Sequence, residues 1–194
     1  FDSLPEYMAG AAKEAFETLL HTKDGQLCDV IVDRAALDAV YRAGQSSKTP
    51  VLRDYAEATV SAADIRIAAR CCRTGKPEGF ILRALAPCAA LSAEELAHAA
   101  AAGEQELRAY LKSTAYGGAA DALDVSLSEF ERWCDNQVIE AMKPQKYNPF
   151  SVGPLVAYAL ARENEIKTVR IILSGKRTGM PEASIRERVR EMYV

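Results

Sequence analysis

Two Gly-Lys pairs are the residues of this chain that most resemble part of a site for chemistry, because that dipeptide occurs in phosphate-binding loops. The pairs are Gly75-Lys76 and Gly175-Lys176. A phosphate-binding loop needs Gly-x-x-x-x-Gly-Lys-Ser/Thr between a strand and a helix. Here Pro77 or Arg177 follows the lysine, and the first glycine of the motif is missing. The pattern is typical of the end of a helix and argues against nucleotide binding.

Histidine and cysteine side chains are the next candidates, since they bind metals and act as nucleophiles. A zinc site needs three or four nitrogen or sulfur ligands, and the two histidines, His21 and His98, lie far apart in the sequence. The cysteines have no zinc-ligand spacing, and we interpret them as small buried residues in a reduced protein; they are Cys28, Cys71, Cys72, Cys88 and Cys134. We expect no catalytic residue, no metal and no cofactor.

The last candidates are clusters of charged residues. Such residues could form ion pairs that fix how one helical unit docks on the next, which is a structural role and not a catalytic one. The predicted docking residues are Asp64, Arg70, Glu163, Glu165 and Arg170. The alternative is an ordinary solvated helix surface, whose ion pairs contribute a few tenths of a kcal/mol each. Composition alone favours the solvated surface. An acid within reach of Arg70 or Arg170 across a helix contact would favour docking.

The elements that position these residues are all predicted to be helical. Ser3 with Glu6, Ser92 with Glu95 and Ser126 with Glu129 form capping boxes, Asp24 can cap a helix, and Thr49-Pro50 starts another. The spacing predicts helices over about 5–20, 25–43, 50–75, 78–86, 93–102, 104–112, 127–142, 150–175 and from 181 onward. Tyr116-Gly117-Gly118 is predicted as a loop or turn, and 143–149 as a connector. No segment alternates as a strand would, so the fold class is all-α.

A repeat is the main organisational prediction. The sequence repeats three residues at an offset of 176 − 76 = 100 residues. The counterparts of Arg70, Gly75 and Lys76 are Arg170, Gly175 and Lys176. Each copy follows an amphipathic helix and a polar connector. The chance explanation is that many helices end in glycine beside basic residues. We predict two similar helical-bundle units stacked together, at 1–87 and 88–194, which bury a shared core as repeat proteins do.

Composition limits the function further. Apolar residues make up 49% of the 194 residues and charged residues 26%, as in ordinary globular proteins. The net charge of −3 argues against nucleic-acid binding, which needs a basic surface. No run of about 18 uncharged apolar residues is present, so we expect no membrane-spanning segment.

The sequence resembles a known family. The last part of the chain, 163–176 with Gly179-Met180-Pro181, 185–188 and Tyr193-Val194, is similar to the end of the C subunit of bacterial and archaeal V-type (A/V-type) ATPases. The eukaryotic vacuolar ATPase has an equivalent, its d subunit. Further similar segments are Leu4-Pro5, Thr22-Lys23-Asp24, Asp33–Tyr41 and Asp64-Ile65-Arg66. The resemblance covers most of the chain.

The resemblance implies a funnel of three similar helical bundles that performs no chemistry. It implies a protein on the cytoplasmic face of the membrane, peripheral to the bilayer, which joins the proteolipid rotor ring to the central shaft. ATP turnover would then couple to proton or sodium transport. The chain begins with Phe1, and we expect it to hold the last two bundles of a longer protein.

Two functions from other classes remain open. A free-standing helical-repeat adaptor that binds a partner protein would expose a concave apolar surface larger than a few hundred Å². A small hydrolase hidden in an all-α fold would enclose His21 or His98 with a cysteine or a carboxylate.

Overall fold

The computed structural model describes residues 4–192, except for the side chain of Lys146. Within that range all regular secondary structure is helical, which confirms the all-α prediction. The helices are α1 (Glu6–Thr22), α2 (Gly25–Ser46), α3 (Pro50–Arg73), α4 (Glu78–Ala84), α5 (Ala93–Ala102), α6 (Glu104–Ser113), α7 (Gly117–Val125), α8 (Leu127–Met142), α9 (Gly153–Arg177) and α10 (Glu182–Arg188). A 3-10 helix over Lys143–Tyr147 links α8 to α9.

Side-chain caps begin several helices where the sequence predicts them. The Asp24 carboxylate accepts the backbone N–H of Gln26 at 2.9 Å and starts α2. The serine hydroxyls before α5 and α8 accept the backbone N–H groups of Glu95 at 3.2 Å and Glu129 at 3.0 Å. These bonds satisfy N–H groups that a helix start leaves without an acceptor. The box at Ser3 lies outside the described residues.

The prediction of a loop or turn at Tyr116-Gly117-Gly118 holds for Tyr116, which lies in a turn, but is wrong for the two glycines, because α7 begins at Gly117. Two glycines weaken a helix start. Gly118, however, lies against the indole of Trp133: a Cβ there would be 2.7 Å from Nε1 of the ring. Three alanines of α7 are also buried. Packing on α8 therefore outweighs the low helix propensity of the two glycines.

The ends of α3 and α9 correct the predicted repeat. Gly75 follows α3 with φ +62° and ends it, as predicted. Gly175 does not end the long helix: it lies inside α9, and Gly179, with φ +68°, follows the helix instead. A Cβ on Gly175 would lie 2.7 Å from Cγ1 of Ile185, so this glycine lets α10 pack closely on α9. The true offset is 179 − 75 = 104 residues.

At this offset the sequence reads Arg-Thr-Gly-x-Pro-Glu twice, over 73–78 and 177–182. The backbone hydrogen bonds also match. Lys76 N–H donates to Cys71 O at 3.0 Å, and its counterpart Met180 N–H donates to Gly175 O at 2.9 Å. Both are the six-to-one bond of a Schellman ending. In each copy a proline then starts a seven-residue helix with a buried isoleucine in it, Ile81 in α4 and Ile185 in α10.

The main core is formed by helices α3 to α8. Its largest members are Ile65, Ile81, Leu85, Leu96, Leu107, Leu111 and Phe130. A smaller cluster of Val51, Met142 and Ala157 joins α9 to α3 and α8. The proposed division at 87/88 stays a prediction, and the main core draws side chains from both sides of it.

Candidate functional site

An ion-pair cluster joins α3, α8 and the segment after α10. Arg66 Nε lies 2.7 Å from Glu131 Oε2, and Arg66 Nη2 lies 2.9 Å from Asp135 Oδ1. Arg70 Nη2 lies 2.8 Å from Glu131 Oε1. Arg190 Nε completes the cluster at 2.5 Å from Asp135 Oδ2. Three arginines and two carboxylates therefore fix the contact of three segments that are distant in sequence.

Helical spacing explains this arrangement. Arg66 and Arg70 stand one turn apart on α3, and Glu131 and Asp135 stand one turn apart on α8. Two such rows on neighbouring helices face each other, and each carboxylate can accept from two arginines. Beside the charges, Phe130 and Cys134 of α8 pack with Ile65 in the main core. The α3–α8 contact thus has an apolar interior and a charged border.

Most side chains of this cluster are less exposed than those of an ordinary surface ion pair. The side chains of Arg66, Glu131, Asp135 and Arg190 are 12–23% exposed. Arg70 is 64% exposed and closes the cluster on its outer side. Partly shielded charges that lose a partner destabilise a protein more than exposed ones do.

We expect Arg66→Ala to lower the free energy of unfolding by about 2 kcal/mol, since it leaves two partly buried carboxylates short of a cation. Arg186→Ala is the matched control, because Arg186 and Glu182 are 77% and 75% exposed. That control should cost less than about 0.5 kcal/mol. Urea denaturation measures both values. Equal losses in the two variants would contradict a structural role for the cluster.

Asp64, a predicted docking residue, lies in the interior of the fold. Its side chain is buried, and its Oδ1 accepts the backbone N–H of Ala86 at 3.1 Å. Burial raises the pKa of Asp64 to about 7, although the Ala86 N–H and the charge of Arg34 act in the opposite direction. The residue therefore holds the segment after α4 against α3 rather than facing another protein.

Among the described residues, none of the three predicted charges of α9 forms an ion pair with a member of the cluster. Glu165 is paired with Arg162 one turn earlier on the same helix. Glu163 is exposed and lines a crevice between α8 and α9 together with Asp135 and Asn164. Arg170 is exposed, and the described part of the chain gives it no ion-pair partner. Of the predicted residues, the structure brings only Arg70 into the cluster.

The sequence analysis selected none of the other four members of the cluster, which are Arg66, Glu131, Asp135 and Arg190. One signal was available. Glu131 and Asp135 are acids one turn apart that border the apolar pair Phe130 and Cys134 on α8. Such a row is typical of a helix that packs through one face and pairs its charges at the edge.

The other candidates for chemistry are the histidines and the cysteines. Nδ1 of His98 lies 3.0 Å from Glu78 Oε2, and both side chains are more than half exposed. All five cysteines are free. Burial raises the pKa of Cys134 to about 12, so its thiol stays protonated at neutral pH. No group of metal-binding side chains comes together within residues 4–192.

None of the helices in the described range is both long enough and apolar enough to cross a bilayer.

Comparison with known protein families gives a match to the ATP synthase (C/AC39) subunit, whose pattern matches residues 1–188. The similarity therefore includes both copies of the repeated ending and the α3 and α8 members of the ion-pair cluster.

Individual relatives agree with the family match. The V-type sodium ATPase C subunit of Enterococcus hirae is 23% identical over 194 residues, which cover 98% of this chain and 59% of that protein. The A-type ATP synthase C subunit of Haloferax volcanii is 30% identical over 142 residues, covering 68% of this chain and 40% of the relative. The chain thus spans less than two thirds of these relatives. No solved structure gives a significant match. Because the family pattern extends over residues 1–188, the chain belongs to the ATP synthase (C/AC39) subunit family.

Proposed function

We propose that the chain is a non-catalytic coupling component of a rotary V-type ATPase, linking the membrane rotor ring to the central shaft. The observation that carries this proposal is the family match over residues 1–188. The chain then sits on the cytoplasmic face of the membrane, peripheral to it. Its work is mechanical: ATP hydrolysis or synthesis in one sector is coupled to proton or sodium movement in the other.

The stiffness of the fold supports a mechanical role. Helices α3 and α9 have 24 and 25 residues, and each forms a hydrogen-bonded rod about 36–38 Å long. A coupler that carries torque must not let its helices slide past one another. The ion-pair cluster on α3 and α8 opposes such sliding, because a shift of either helix by part of a turn would separate charged partners.

The predicted docking residues take two roles in this proposal. Asp64 and Arg70 hold parts of the chain together, through Ala86 and Glu131. Glu163, Glu165 and Arg170 lie on α9 and would face partner subunits, Glu165 together with Arg162, with which it is paired. Because Arg170 is exposed, its removal leaves no buried group without a partner.

We expect Arg170→Ala to weaken association with the rotor about tenfold, as the loss of one interfacial charge commonly does, while helix content and thermal stability stay unchanged. Circular dichroism and pull-down from membranes measure the two properties. Lys13→Ala, an exposed charge on α1, is the control. If Arg170→Ala binds as well as the parent chain, Arg170 has no docking role.

The proposed function itself is tested by tagging the chain and purifying it from gently solubilised membranes. The proposal expects the proteolipid ring and the central-shaft subunits to purify with it in fixed stoichiometry. Recovery of the tagged chain without either of them, under conditions that keep the rest of the ATPase intact, would contradict the proposal.

A second candidate, an adaptor that binds a partner protein, is favoured by one surface. A groove of about 800 Å³ between α1 and α2 is lined mainly by apolar and small side chains, including Tyr7, Met8, Ala39 and Val40. An adaptor would hold a peptide helix in this groove without any ATPase subunit. Widespread recovery of partners other than ATPase subunits in the purification above would favour the adaptor.

A further inference from the structure

Helix α9 carries an exposed apolar stripe along one face. The stripe consists of Leu155, Tyr158, Ile166, Val169 and Leu173, with Arg162 in its middle. Steps of three or four residues place all six on one side of the helix. The opposite side, which includes Ala157, Asn164, Thr168 and Gly175, is buried against the rest of the chain. The stripe is therefore a separate face from the one α9 already uses.

The repeat allows the same helix face to be compared on α3. At the offset of 104 residues, Leu155, Ile166, Val169 and Leu173 correspond to Val51, Ala62, Ile65 and Ala69 of α3. The α9 residues are 47–71% exposed, whereas their α3 counterparts are 0–4% exposed. Tyr158 corresponds to Asp54, which is exposed. At the other four apolar positions, the face of the repeated long helix is covered in the first copy and uncovered in the second.

Helices cover this face on α3. Ala62, Ile65 and Ala69 lie in one core with Leu107 of α6 and with Phe130 of α8. Along the border of that contact, Arg66 meets Glu131 and Asp135. The covering surface on α8 is therefore an apolar helix face with two carboxylates one turn apart at its edge.

Arg170 is the counterpart of Arg66 at the same offset. It borders the α9 stripe as Arg66 borders the covered face of α3, and it has no ion-pair partner among residues 4–192. We infer that the stripe of α9 and Arg170 together form a docking site for an amphipathic helix of another protein, one that carries two carboxylates one turn apart beside its apolar face.

Helix α8 of a second copy of this chain is a poor occupant. It carries the required surface, but its Phe130 and Cys134 are fully buried and its Glu131 and Asp135 are already paired with α3. A copy would have to open its own core to present that face. The inference goes beyond the rotary assignment, since it rests on the register of the two long helices and names the chemistry of the partner.

The test uses a designed helical peptide of about 20 residues, which is long enough to cover the stripe at 1.5 Å per residue. One peptide has alanine and leucine on one face with two glutamates one turn apart at the edge. Its matched partner has lysines in place of the two glutamates. Fluorescence anisotropy measures binding of both peptides to the full chain.

We expect the parent chain to bind the glutamate peptide at least about tenfold more tightly than the lysine peptide, as charge complementarity at an interface predicts. Arg170→Glu should reverse the preference, and Val169→Asp should abolish binding of both peptides. Arg53→Glu, an exposed arginine of α3, should leave the preference unchanged. Circular dichroism of each variant shows whether it remains folded.

Three outcomes would overturn the inference. The first is equal affinity of the parent chain for the two peptides. The second is a folded Arg170→Glu variant that keeps the original preference. The third is self-association in sedimentation that is lost in Val169→Asp while neither peptide binds, which would assign the stripe to a second copy of the chain. None of these results bears on whether the chain purifies with the ATPase, so the two proposals can fail separately.

Discussion

Gly44→Ala is expected to lower the free energy of unfolding by about 2 kcal/mol or more, as overpacking at a tight contact does. Gly44 lies near the end of α2, where that helix crosses α3. A Cβ at this position would lie 2.3 Å from Cβ of Ala56 and 2.9 Å from the backbone O of Leu52. Neither atom belongs to a flexible side chain, so the two helices must separate. The gain of about 1 kcal/mol in helix propensity is too small to offset that loss.

Gly10→Ala is the matched control. Gly10 lies inside α1, and a Cβ there meets nothing within 4 Å. The same substitution should therefore stabilise the protein by up to about 1 kcal/mol through helix propensity alone. Thermal and urea unfolding of both variants measure the contrast. A Gly44→Ala variant as stable as Gly10→Ala would show that α2 and α3 do not approach this closely.

Asp64→Asn is expected to raise stability above pH 7 by as much as about 4 kcal/mol, from 1.36 kcal/mol per pKa unit, and to leave it unchanged at pH 4. Burial raises the pKa of Asp64 from 3.8 to about 7 in the folded chain. Asparagine keeps an oxygen that accepts the Ala86 N–H but carries no charge. The substitution removes the cost of an ionised carboxylate in the interior.

The sign follows from proton binding. Between pH 4 and 7 the folded chain holds a proton on Asp64 that the unfolded chain has released. The free energy of unfolding of the parent therefore falls as pH rises through this window and levels off above it. Urea denaturation at several pH values measures the slope for the parent, for Asp64→Asn and for Asp54→Asn, an exposed position on the same helix. A difference between parent and Asp64→Asn that stays constant from pH 4 to 8 would contradict the raised pKa.

The helix starts could be predicted because their causes are local. Asp24, Ser92 and Ser126 accept N–H groups two or three residues ahead, so a short stretch of sequence contains the whole interaction. Gly103 likewise separates α5 from α6 through its own backbone, at φ +139°. Such features depend on neither topology nor packing.

The features that sequence reasoning missed depend on contacts between distant segments. The start of helix α7 is stabilised by the packing of Gly118 against the ring of Trp133, a residue fifteen positions later in the chain. The partners of Arg66 come from α8 and could not be identified before the α3–α8 contact was known. Gly175 looked like a helix stop, but Ile185 occupies the space beside it. In each case tertiary packing overrides a local signal.

The repeat combines a local signal that the sequence contains with a pairing of residues that was first assigned wrongly. The motif Arg-Thr-Gly-x-Pro-Glu occurs at 73–78 and 177–182 and is visible in the sequence. Alignment on Gly175 instead of Gly179 shifted every pairing by four residues, about one helical turn, so Arg170 was matched with Arg70 rather than with Arg66. The repeated motif alone gives the correct register, and the positive φ shared by Gly75 and Gly179 agrees with it.

The proposed coupling between ATP turnover and ion movement can be tested by ion transport in reconstituted ATPase. Membrane vesicles that hold the complex are stripped of this protein, and ATP hydrolysis and ion uptake are measured before and after the purified chain is returned. If the chain is the coupler, stripped vesicles should hydrolyse ATP without ion uptake, and return of the parent chain should restore uptake. Full uptake in vesicles that lack the protein would contradict it.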